Sequence, residues 1–263
     1  MEHIPLQRVV KLALKKHHIY EVSKLTSLLR AMLASMFIGF GVIVAFKSGG
    51  AFFNENSPLA YPMAALTFGS AIILISYGGG DLFTGNTFYF TLAALRKKLA
   101  WRTVGRMWLL CYLGNVLGAF VFALLIWSTG LFREASVNGF LLSVVEKKLH
   151  ADTFELFFRA LLCNWLVCLA FFIPMSLRGD GPKLFTMMLF VFCFFISGYE
   201  HSVANMCTFA IGLVVGEPGQ VTLGGILHNL IPVTLGNMVG GAILMGFMYH
   251  TVNKPFEEEG NHP

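Results

Sequence analysis

A histidine and two carboxylates stand inside long segments of the chain in which most neighbouring residues are apolar. Glu200 directly precedes His201 in one of these segments, and Asp81 lies in an earlier one. Ionisable side chains in an apolar medium are costly, so they normally line a solute pathway or pair with one another. Histidine can also exchange a proton near neutral pH. His201 is therefore predicted to line a pathway, and the alternative is a structural histidine that backbone groups satisfy.

The two acidic segments resemble each other. Each acid, Asp81 or Glu200, is followed five positions later by an asparagine, and the next apolar segments share a Leu-Gly-Asn pattern at 113–118 and 235–240. Matches in the same order predict an internal repeat. Three spans in each copy would make the copies face opposite ways across a membrane, an arrangement whose broken helices meet near the midplane.

Two hydroxyl residues stand where half-helices are expected to begin. Thr84 and Ser202 follow the acidic residues closely, so their hydroxyls are predicted to cap free backbone amides. A helix start also presents a partial positive charge. Two such starts beside a pathway favour an anion without burying a full cation. For Thr84, capping and contact with a solute are compatible roles.

The buried polar residues also have a structural interpretation. Asp81 and Glu200 could bind a cation beside the pathway, but their matched placement favours a role in accepting hydrogen bonds from loop amides. Four amide side chains at membrane depth are expected to fasten the breaks to neighbouring helices: Asn86, Asn164, Asn205 and Asn237.

Three further residues are candidates for the path itself. Lys148 precedes the fourth apolar segment and is predicted either to concentrate anions at the mouth of the path or to be an ordinary solvated lysine. Leu82 and Phe194 lie beside the two breaks, where bulky apolar groups could narrow the path and exclude hydrated ions. Simple packing is the alternative for both.

The composition predicts a membrane protein. Apolar residues make up 56% of the 263 residues and charged residues 13%, which leaves too little polar surface for a soluble globule. The net charge of +5 comes from basic residues in short loops, so it predicts membrane topology and not a nucleic-acid partner. The five cysteines lie in apolar segments without CxxC spacing. No metal site and no cofactor are predicted.

Six spans account for the apolar segments: Leu28–Phe46, Leu59–Leu95, Met107–Trp127, Thr153–Leu177, Leu184–Val215 and Leu223–His250. The second and fifth, at roughly 32 to 37 residues and about 1.5 Å per residue, would reach about 50 Å as straight helices. Each is therefore predicted to break, at Gly78–Gly85 and at Ser197–Ser202, where glycines and ionisable groups interrupt the apolar sequence.

Loop charge orients these spans. Basic residues cluster before the first span and in the loops after the second and fourth, while the opposite loops carry only Lys47, Arg133, Lys147 and Lys148. The positive-inside rule then places both termini in the cytoplasm of a cell whose inner (plasma) membrane holds the protein. Residues 1–24 are predicted to form an uncleaved amphipathic helix on the membrane surface, residues 25–252 the transmembrane domain, and residues 253–263 a cytoplasmic tail with acidic residues.

Four stretches carry a resemblance to a known family: DLFTGN at 81–86, NWLVCLA at 164–170, GYEHSVANM at 198–206 and NLIPVTLGN at 229–237. In this order they resemble the formate/nitrite transporter family, and EHSxAN is highly specific to it. The resemblance covers almost the whole chain. Within the family, the chain is most similar to the hydrosulfide channel branch.

The resemblance implies an all-α fold with an aquaporin-like protomer, assembled as a homopentamer with one pore in each subunit. It implies that His201 is the central pore histidine, Thr84 the hydroxyl that faces it, and Lys148 a lysine of the outer vestibule. Leu82 and Phe194 would be constrictions. Asp81, as argued above, would help to hold its loop, and the resemblance implies that three residues brace the broken region: Asn164, Glu200 and Asn237.

These features predict a channel for small monovalent weak-acid anions, with hydrosulfide as the preferred ion and formate and nitrite as further permeant ions. A formate or nitrite transporter coupled to protons is the alternative. An intramembrane enzyme built on His201 is disfavoured because the sequence has no second catalytic histidine and no HExxH pattern, so no residue is predicted to be catalytic. A neutral-solute pore is disfavoured by the lack of paired Asn-Pro-Ala motifs.

Overall fold

The computed structural model describes residues 3–132 and 134–259. Arg133, counted above among the outer basic residues, lies outside the described residues, as do residues 260–263 of the tail. The side chains of the acidic tail residues Glu257, Glu258 and Glu259 are likewise not described.

The described chain is all-helical and contains no strand. Its helices in order are α1 (His3–Val22), α2 (Lys24–Asn54), α3 (Ala60–Phe68), α4 (Ser70–Gly78), α5 (Phe83–Leu95), α6 (Trp101–Thr129), α7 (Ala135–Leu149), α8 (Thr153–Phe172), α9 (Asp180–Ile196), α10 (Ser202–Val215), α11 (Leu223–Val239) and α12 (Met248–Glu259). A 3₁₀ turn (Ile173–Ser176) follows α8, and a π-helical stretch (Gly240–Phe247) joins α11 to α12.

Within the described residues, five stretches are long and apolar enough to cross a membrane: Lys24–Asn54, Ala60–Gly78, Trp101–Thr129, Thr153–Ser176 and Leu223–Lys254. Large apolar side chains such as Leu109, Phe120 and Ile231 lie exposed on their outer faces. A surface of this kind suits contact with lipid or with another apolar protein surface. These helices confirm the prediction of a multi-pass membrane protein.

Both predicted interruptions are present. Helix α4 ends at Gly78, and Gly79 adopts a left-handed φ of 76° before α5 begins at Phe83. Helix α9 ends at Ile196, and Gly198 has a φ of 71° before α10 begins at Ser202. Glycine adopts the left-handed backbone conformation without steric cost. It therefore suits the position just after the first half-helix of each broken span.

Glycines also set how closely the long helices approach. A Cβ on Gly236 of α11 would lie 2.2 Å from the carbonyl oxygen of Phe157 on α8. A Cβ on Gly118 of α6 would lie 2.3 Å from the carbonyl oxygen of Met32 on α2. No side chain fits in either place. The two glycines therefore allow α6 to pack closely on α2 and α11 to pack closely on α8.

Helix α7 was not expected from the sequence, where its residues were assigned to a loop. Its buried side chains Phe140, Leu141 and Val145 pack into the main core beside α2. The spacing of these apolar residues is helical, but the segment is too short and too polar to have been counted as a span. It places Lys147 and Lys148 in its last turn.

The position of the amino-terminal helix at the membrane surface stays a prediction, and the structure adds that this helix packs on protein. Leu6, Val9 and Ala13 of α1 are fully buried in a cluster with Phe88 and Leu92 of α5. Helix α5 is buried along almost its whole length. Helix α1 forms part of the surface that buries it.

Candidate permeation site

A histidine and a threonine meet at the two helix breaks. The Nε2 atom of His201 lies 3.0 Å from the hydroxyl oxygen of Thr84. The Nδ1 atom of His201 accepts a hydrogen bond of 3.1 Å from the backbone amide of Ala204, at the start of α10. Since Nδ1 accepts, a neutral His201 carries its proton on Nε2 and donates it to Thr84. The two halves of the chain are thus joined at the ends of their half-helices.

The predicted caps of these half-helices are replaced by other groups. Helix α10 is capped by the imidazole of His201, while the buried Ser202 hydroxyl has no hydrogen-bond partner within the described chain. Thr84 is the second residue of α5, where a hydroxyl cannot act as the N-cap. The expectation that Thr84 and Ser202 cap free amides is therefore wrong.

Asn237 of α11 contacts the break before α10 through both atoms of its side-chain amide. Its Oδ1 atom accepts from the amide of Ser202 at 2.8 Å. Its Nδ2 group donates to the carbonyl oxygens of Ala160 at 2.7 Å and Glu200 at 3.0 Å. One side chain thereby ties the loop to α8 and satisfies the first amide of the half-helix.

Asn115 of α6 does the same for the break before α5. It accepts from the amide of Phe83 at 3.0 Å and donates to the carbonyl oxygens of Ala31 at 2.7 Å and Asp81 at 3.1 Å. Asn115 belongs to the repeated Leu-Gly-Asn pattern, and its match with Asn237 is the sequence signal that points to it.

Asn164 of α8 links the two breaks. Its Nδ2 group lies 3.2 Å from the carbonyl oxygen of Thr84, 3.0 Å from the hydroxyl of Thr87 and 2.6 Å from the carbonyl oxygen of Asn237. Asn164 is fully buried. These contacts hold the start of α5 against α11 in the middle of the bundle.

Glu200 is held by a lysine and an asparagine. Its Oε2 atom lies 2.7 Å from Lys148 Nζ and 2.6 Å from Asn205 Nδ2. The side chain of Glu200 is 5% exposed and that of Lys148 is 17% exposed. The predicted attraction of anions by Lys148 stays a prediction, and the structure adds that Glu200 matches much of the lysine's charge.

Asp81 has an equivalent partner that sequence analysis missed. Its Oδ1 atom lies 2.5 Å from Lys16 Nζ of α1, and the same ammonium donates to Asn86 Oδ1 at 2.7 Å. Arg30 Nε is farther away, 3.9 Å from Asp81 Oδ2. Lys16 lies outside both repeat copies, so the repeat gave no means of assigning it. Each acid is therefore half of a buried ion pair, and its role in holding the loop stays a prediction.

Open space lies on both sides of the Thr84–His201 pair. A cavity of about 470 Å³ contains Lys148 and Glu200 in its lining, and a cavity of about 340 Å³ contains Leu82. We call them the outer and the inner cavity after the topology predicted from loop charge. Two small spaces of about 30 and 20 Å³ lie between them. Lys148 lines the outer cavity and the space of about 30 Å³. Phe194 and His201 line both small spaces. Leu82 lines the space of about 20 Å³ and the inner cavity.

The space of about 20 Å³ is bounded by apolar side chains and one imidazole, whereas the space of about 30 Å³ also has Lys148, Asn205 and Thr208 in its lining. The rings of Phe194 and His201 are stacked with centroids 6.0 Å apart. Thr84 is fully buried and lies behind His201, outside the lining of these four spaces. Thr84 thus contacts the histidine and reaches the narrow part only through it. No group of three His, Cys, Asp or Glu residues within the described chain could hold a metal ion.

An all-helical membrane bundle with two wide cavities separated by a narrow, mostly apolar passage has the architecture of a membrane transport protein. The family model described as Formate/nitrite transporter matches residues 3–251. The chain belongs to the formate/nitrite transporter family, whose members are transporters and channels and not enzymes.

Similar proteins support this assignment. The chain is 61% identical over 253 residues to the "Uncharacterized transporter YwcJ" of Bacillus subtilis. The aligned residues cover 96% of this chain and 99% of that protein. Of solved structures, an "FNT family ion channel" matches 94% of this chain and 98% of its own with a TM-score of 0.88 and 31% identity. A "Pentameric formate channel with formate bound" matches 87% and 97% with a TM-score of 0.74 and 27% identity. The preference for hydrosulfide stays a prediction.

Proposed function

We propose that this protein is a channel for small monovalent anions of weak acids, with hydrosulfide preferred and formate and nitrite also permeant. The observation that carries the proposal is the position of His201. Its imidazole lines both small spaces of the narrow passage, and on its other side it is held by Thr84 and by the start of α10. A polar, titratable group thus stands where a permeating ion has lost most of its water.

The outer cavity favours entry of an anion. Lys147, Lys148 and Arg159 line it together with the single carboxylate of Glu200. Lys148 is paired with that carboxylate and Arg159 with Glu155 on its own helix, so Lys147 supplies most of the remaining positive charge. Cations at a cavity mouth raise the local concentration of anions. The ion pair at Lys148 then marks the entrance to the narrow passage.

The narrow passage discriminates by the chemistry of the acid. A bare charge between Phe194 and Leu82 would lose its hydration and gain few polar contacts, which costs several kcal/mol or more. Neutral His201 has its one N–H directed at Thr84, so it becomes a proton donor only after it takes up a second proton from water and forms imidazolium. A weak-acid anion beside it can take that proton, pass the apolar side chains as the neutral acid and return the proton to the imidazole before it leaves. The anion of a strong acid stays charged throughout.

The two half-helices add to this preference. Helices α5 and α10 both begin at the breaks that meet at the Thr84–His201 contact. The start of a helix carries a partial positive charge of roughly half an elementary charge. Because both starts lie near the same point, their fields add there and favour an anion without a buried cation.

The proposed topology is six crossings in two inverted repeats, with both termini in the cytoplasm, the protomer aquaporin-like and the protein in the plasma membrane. The matched contacts of Asn115 and Asn237 support the repeat, because each receives the first amide of a half-helix and donates to the carbonyl of the acid before it. A homopentamer is proposed from the pentameric formate channel that the chain resembles.

A formate or nitrite transporter coupled to protons is the second candidate. Similarity to a channel with formate bound favours formate as the ion, and the imidazole of His201 beside the passage is the group that could couple a proton to it. The two candidates differ in whether one proton moves with each anion. A fluorescent pH indicator inside proteoliposomes separates them, since obligatory coupling acidifies the lumen in step with anion uptake.

The experiment that tests the proposed substrate class is a comparison of hydrosulfide, formate, nitrite and chloride flux in proteoliposomes that contain the purified protein. We expect the three weak-acid anions to enter much faster than chloride, with hydrosulfide fastest. Equal rates for formate and hydrosulfide would refute the hydrosulfide preference. Rates no higher than in protein-free liposomes would refute the channel.

A further inference from the structure

The inner cavity carries more positive charge than the passage of a monovalent anion requires. Four cationic side chains line its volume of about 340 Å³: Arg8, Lys16, Arg30 and Lys183. Among the described residues, no aspartate or glutamate side chain lines it. The outer cavity differs, because Glu200 forms part of its wall. The inner cavity is therefore the more strongly cationic of the two.

Internal partners neutralise only part of this charge. Lys16 is paired with Asp81 at 2.5 Å. Arg30 Nε is 3.9 Å from the same carboxylate, beyond hydrogen-bond reach, and donates no hydrogen bond within the described part of the chain. Lys183 lies 3.4 Å from Asp180, whose side chain is 74% exposed, so water screens this pair strongly. The charges of Arg30 and Lys183 remain largely available to a ligand.

The shapes of these groups suit an oxyanion. A guanidinium group presents several N–H donors in a planar fork that matches the oxygens of phosphate, and an ammonium group adds a point charge. Gly79, with its left-handed φ, lines the cavity beside Arg30, and a Cβ there would lie 3.4 Å from Arg30 Nη1. The absence of a side chain at this position keeps space open next to the guanidinium group.

We propose that the inner cavity is a binding site for a soluble polyvalent oxyanion of the phosphate class, and that the bound anion obstructs the channel from that side. Leu82 lines both this cavity and the adjoining small space, so a ligand in the cavity lies directly on the path. The binding site goes beyond the proposed function and does not depend on it. Only the obstruction of the channel rests on the proposed function. A ligand with two or more charges uses the excess cations, whereas a permeant monovalent ion does not need them.

The binding test is isothermal titration calorimetry of the purified full-length protein in a phosphate-free detergent at low ionic strength, with inorganic phosphate and pyrophosphate as titrants. We expect one pyrophosphate for each chain, tighter than phosphate. Arg30→Gln and Lys183→Gln should each weaken binding about tenfold or more. Lys15→Gln is the matched control, because Lys15 is an exposed cation of α1 that does not line the cavity.

Folding defects are distinguished by a second measurement. Arg30 accepts the amide of Asp81 through its backbone oxygen, which a glutamine at position 30 retains, and Lys183 is partly exposed. Both variants should keep the thermal midpoint of the wild type. Absence of pyrophosphate binding to the wild type, or unchanged binding in both variants, would overturn the site. Loss of pyrophosphate binding when a soluble short-chain phosphatidylglycerol is added would assign the site to a lipid headgroup and would also overturn it.

The obstruction test uses formate flux with pyrophosphate on one face of the membrane at a time. We expect inhibition from the face that bears Lys183, and loss of this inhibition in Lys183→Gln. Normal formate flux without pyrophosphate binding would refute this site and leave the proposed channel intact. Pyrophosphate binding without any anion flux would refute the proposed channel and leave the site intact.

Discussion

The imidazole of His201 donates to the hydroxyl of Thr84 across 3.0 Å, although the two residues are 117 positions apart in the chain. This contact joins the start of α5 to the start of α10. Thr84 is fully buried behind the histidine, so we infer that it acts by orienting the imidazole toward the passage. Thr84 is in this sense a positioning residue.

The first prediction concerns this hydrogen bond. Thr84→Val keeps the shape of the side chain but leaves the Nε2–H group of His201 without its acceptor, which costs about 1–3 kcal/mol in a buried site. We expect the imidazole to reorient and the ratio of formate to chloride flux to fall. Thr84→Ser keeps the hydroxyl and should retain the wild-type ratio. A wild-type ratio in Thr84→Val would show that the threonine does not position His201.

The second prediction concerns the buried ion pair of Lys148 and Glu200. Lys148→Met leaves the buried carboxylate without its cation, and breaking such a pair costs about 3–5 kcal/mol. Glu200→Gln should cost less, because Lys148 is partly exposed and can reach water. The double variant should lose less stability than the two single variants together. Denaturation in detergent measures this, and strictly additive losses would contradict a direct pairing.

The third prediction tests the charge of the outer cavity. Lys147 lines that cavity and is exposed, whereas Lys148 is tied to Glu200. Lys147→Gln should therefore lower formate flux at low ionic strength and have little effect at about 1 M salt, where charges are screened within about 3 Å. An equal loss of flux at both salt concentrations would indicate a folding defect or a direct contact instead.

The fourth prediction concerns helix packing. Gly236→Ala would place a methyl group 2.2 Å from the carbonyl oxygen of Phe157, so α11 must move away from α8 at a cost of about 1–3 kcal/mol or more. Gly105→Ala in α6 is the matched control, because no atom lies within 4 Å of its Cβ position. Replacing that helical glycine should stabilise the protein by about 0.5–1 kcal/mol. Thermal midpoints that shift in the same direction would contradict the packing.

The sequence predicted the parts of the fold that follow from hydrophobic length and from glycine. The breaks after Gly78 and Ile196 could be predicted because an uninterrupted helix of that length has no place in a bilayer of ordinary thickness. The family could be predicted because its motifs occupy these breaks. The residues of the passage could be proposed for the same reason, since Leu82 and His201 are parts of those motifs.

The contacts that the sequence left undetermined are those between distant elements. Lys16 reaches Asp81 from α1, and no local pattern distinguishes it from Lys15, which is exposed. The cap of α10 is the imidazole of His201 rather than the Ser202 hydroxyl, because His201 occupies the N-cap position, and Asn237 of α11 accepts the first amide of the helix. Such pairings depend on where helices meet in space, which a pattern along one chain does not specify.

The most direct test of the account is the His201→Asn variant, because asparagine can still cap α10 through its side-chain oxygen but cannot titrate. Formate and chloride flux are measured in proteoliposomes between about pH 5 and 8, the range in which histidine commonly changes charge. We predict that the assembled variant loses the wild-type dependence of formate flux on pH and that its ratio of formate to chloride flux falls about tenfold. An assembled variant with the wild-type flux ratio and an unchanged pH profile would contradict the role of His201 as hydrogen-bond and proton donor.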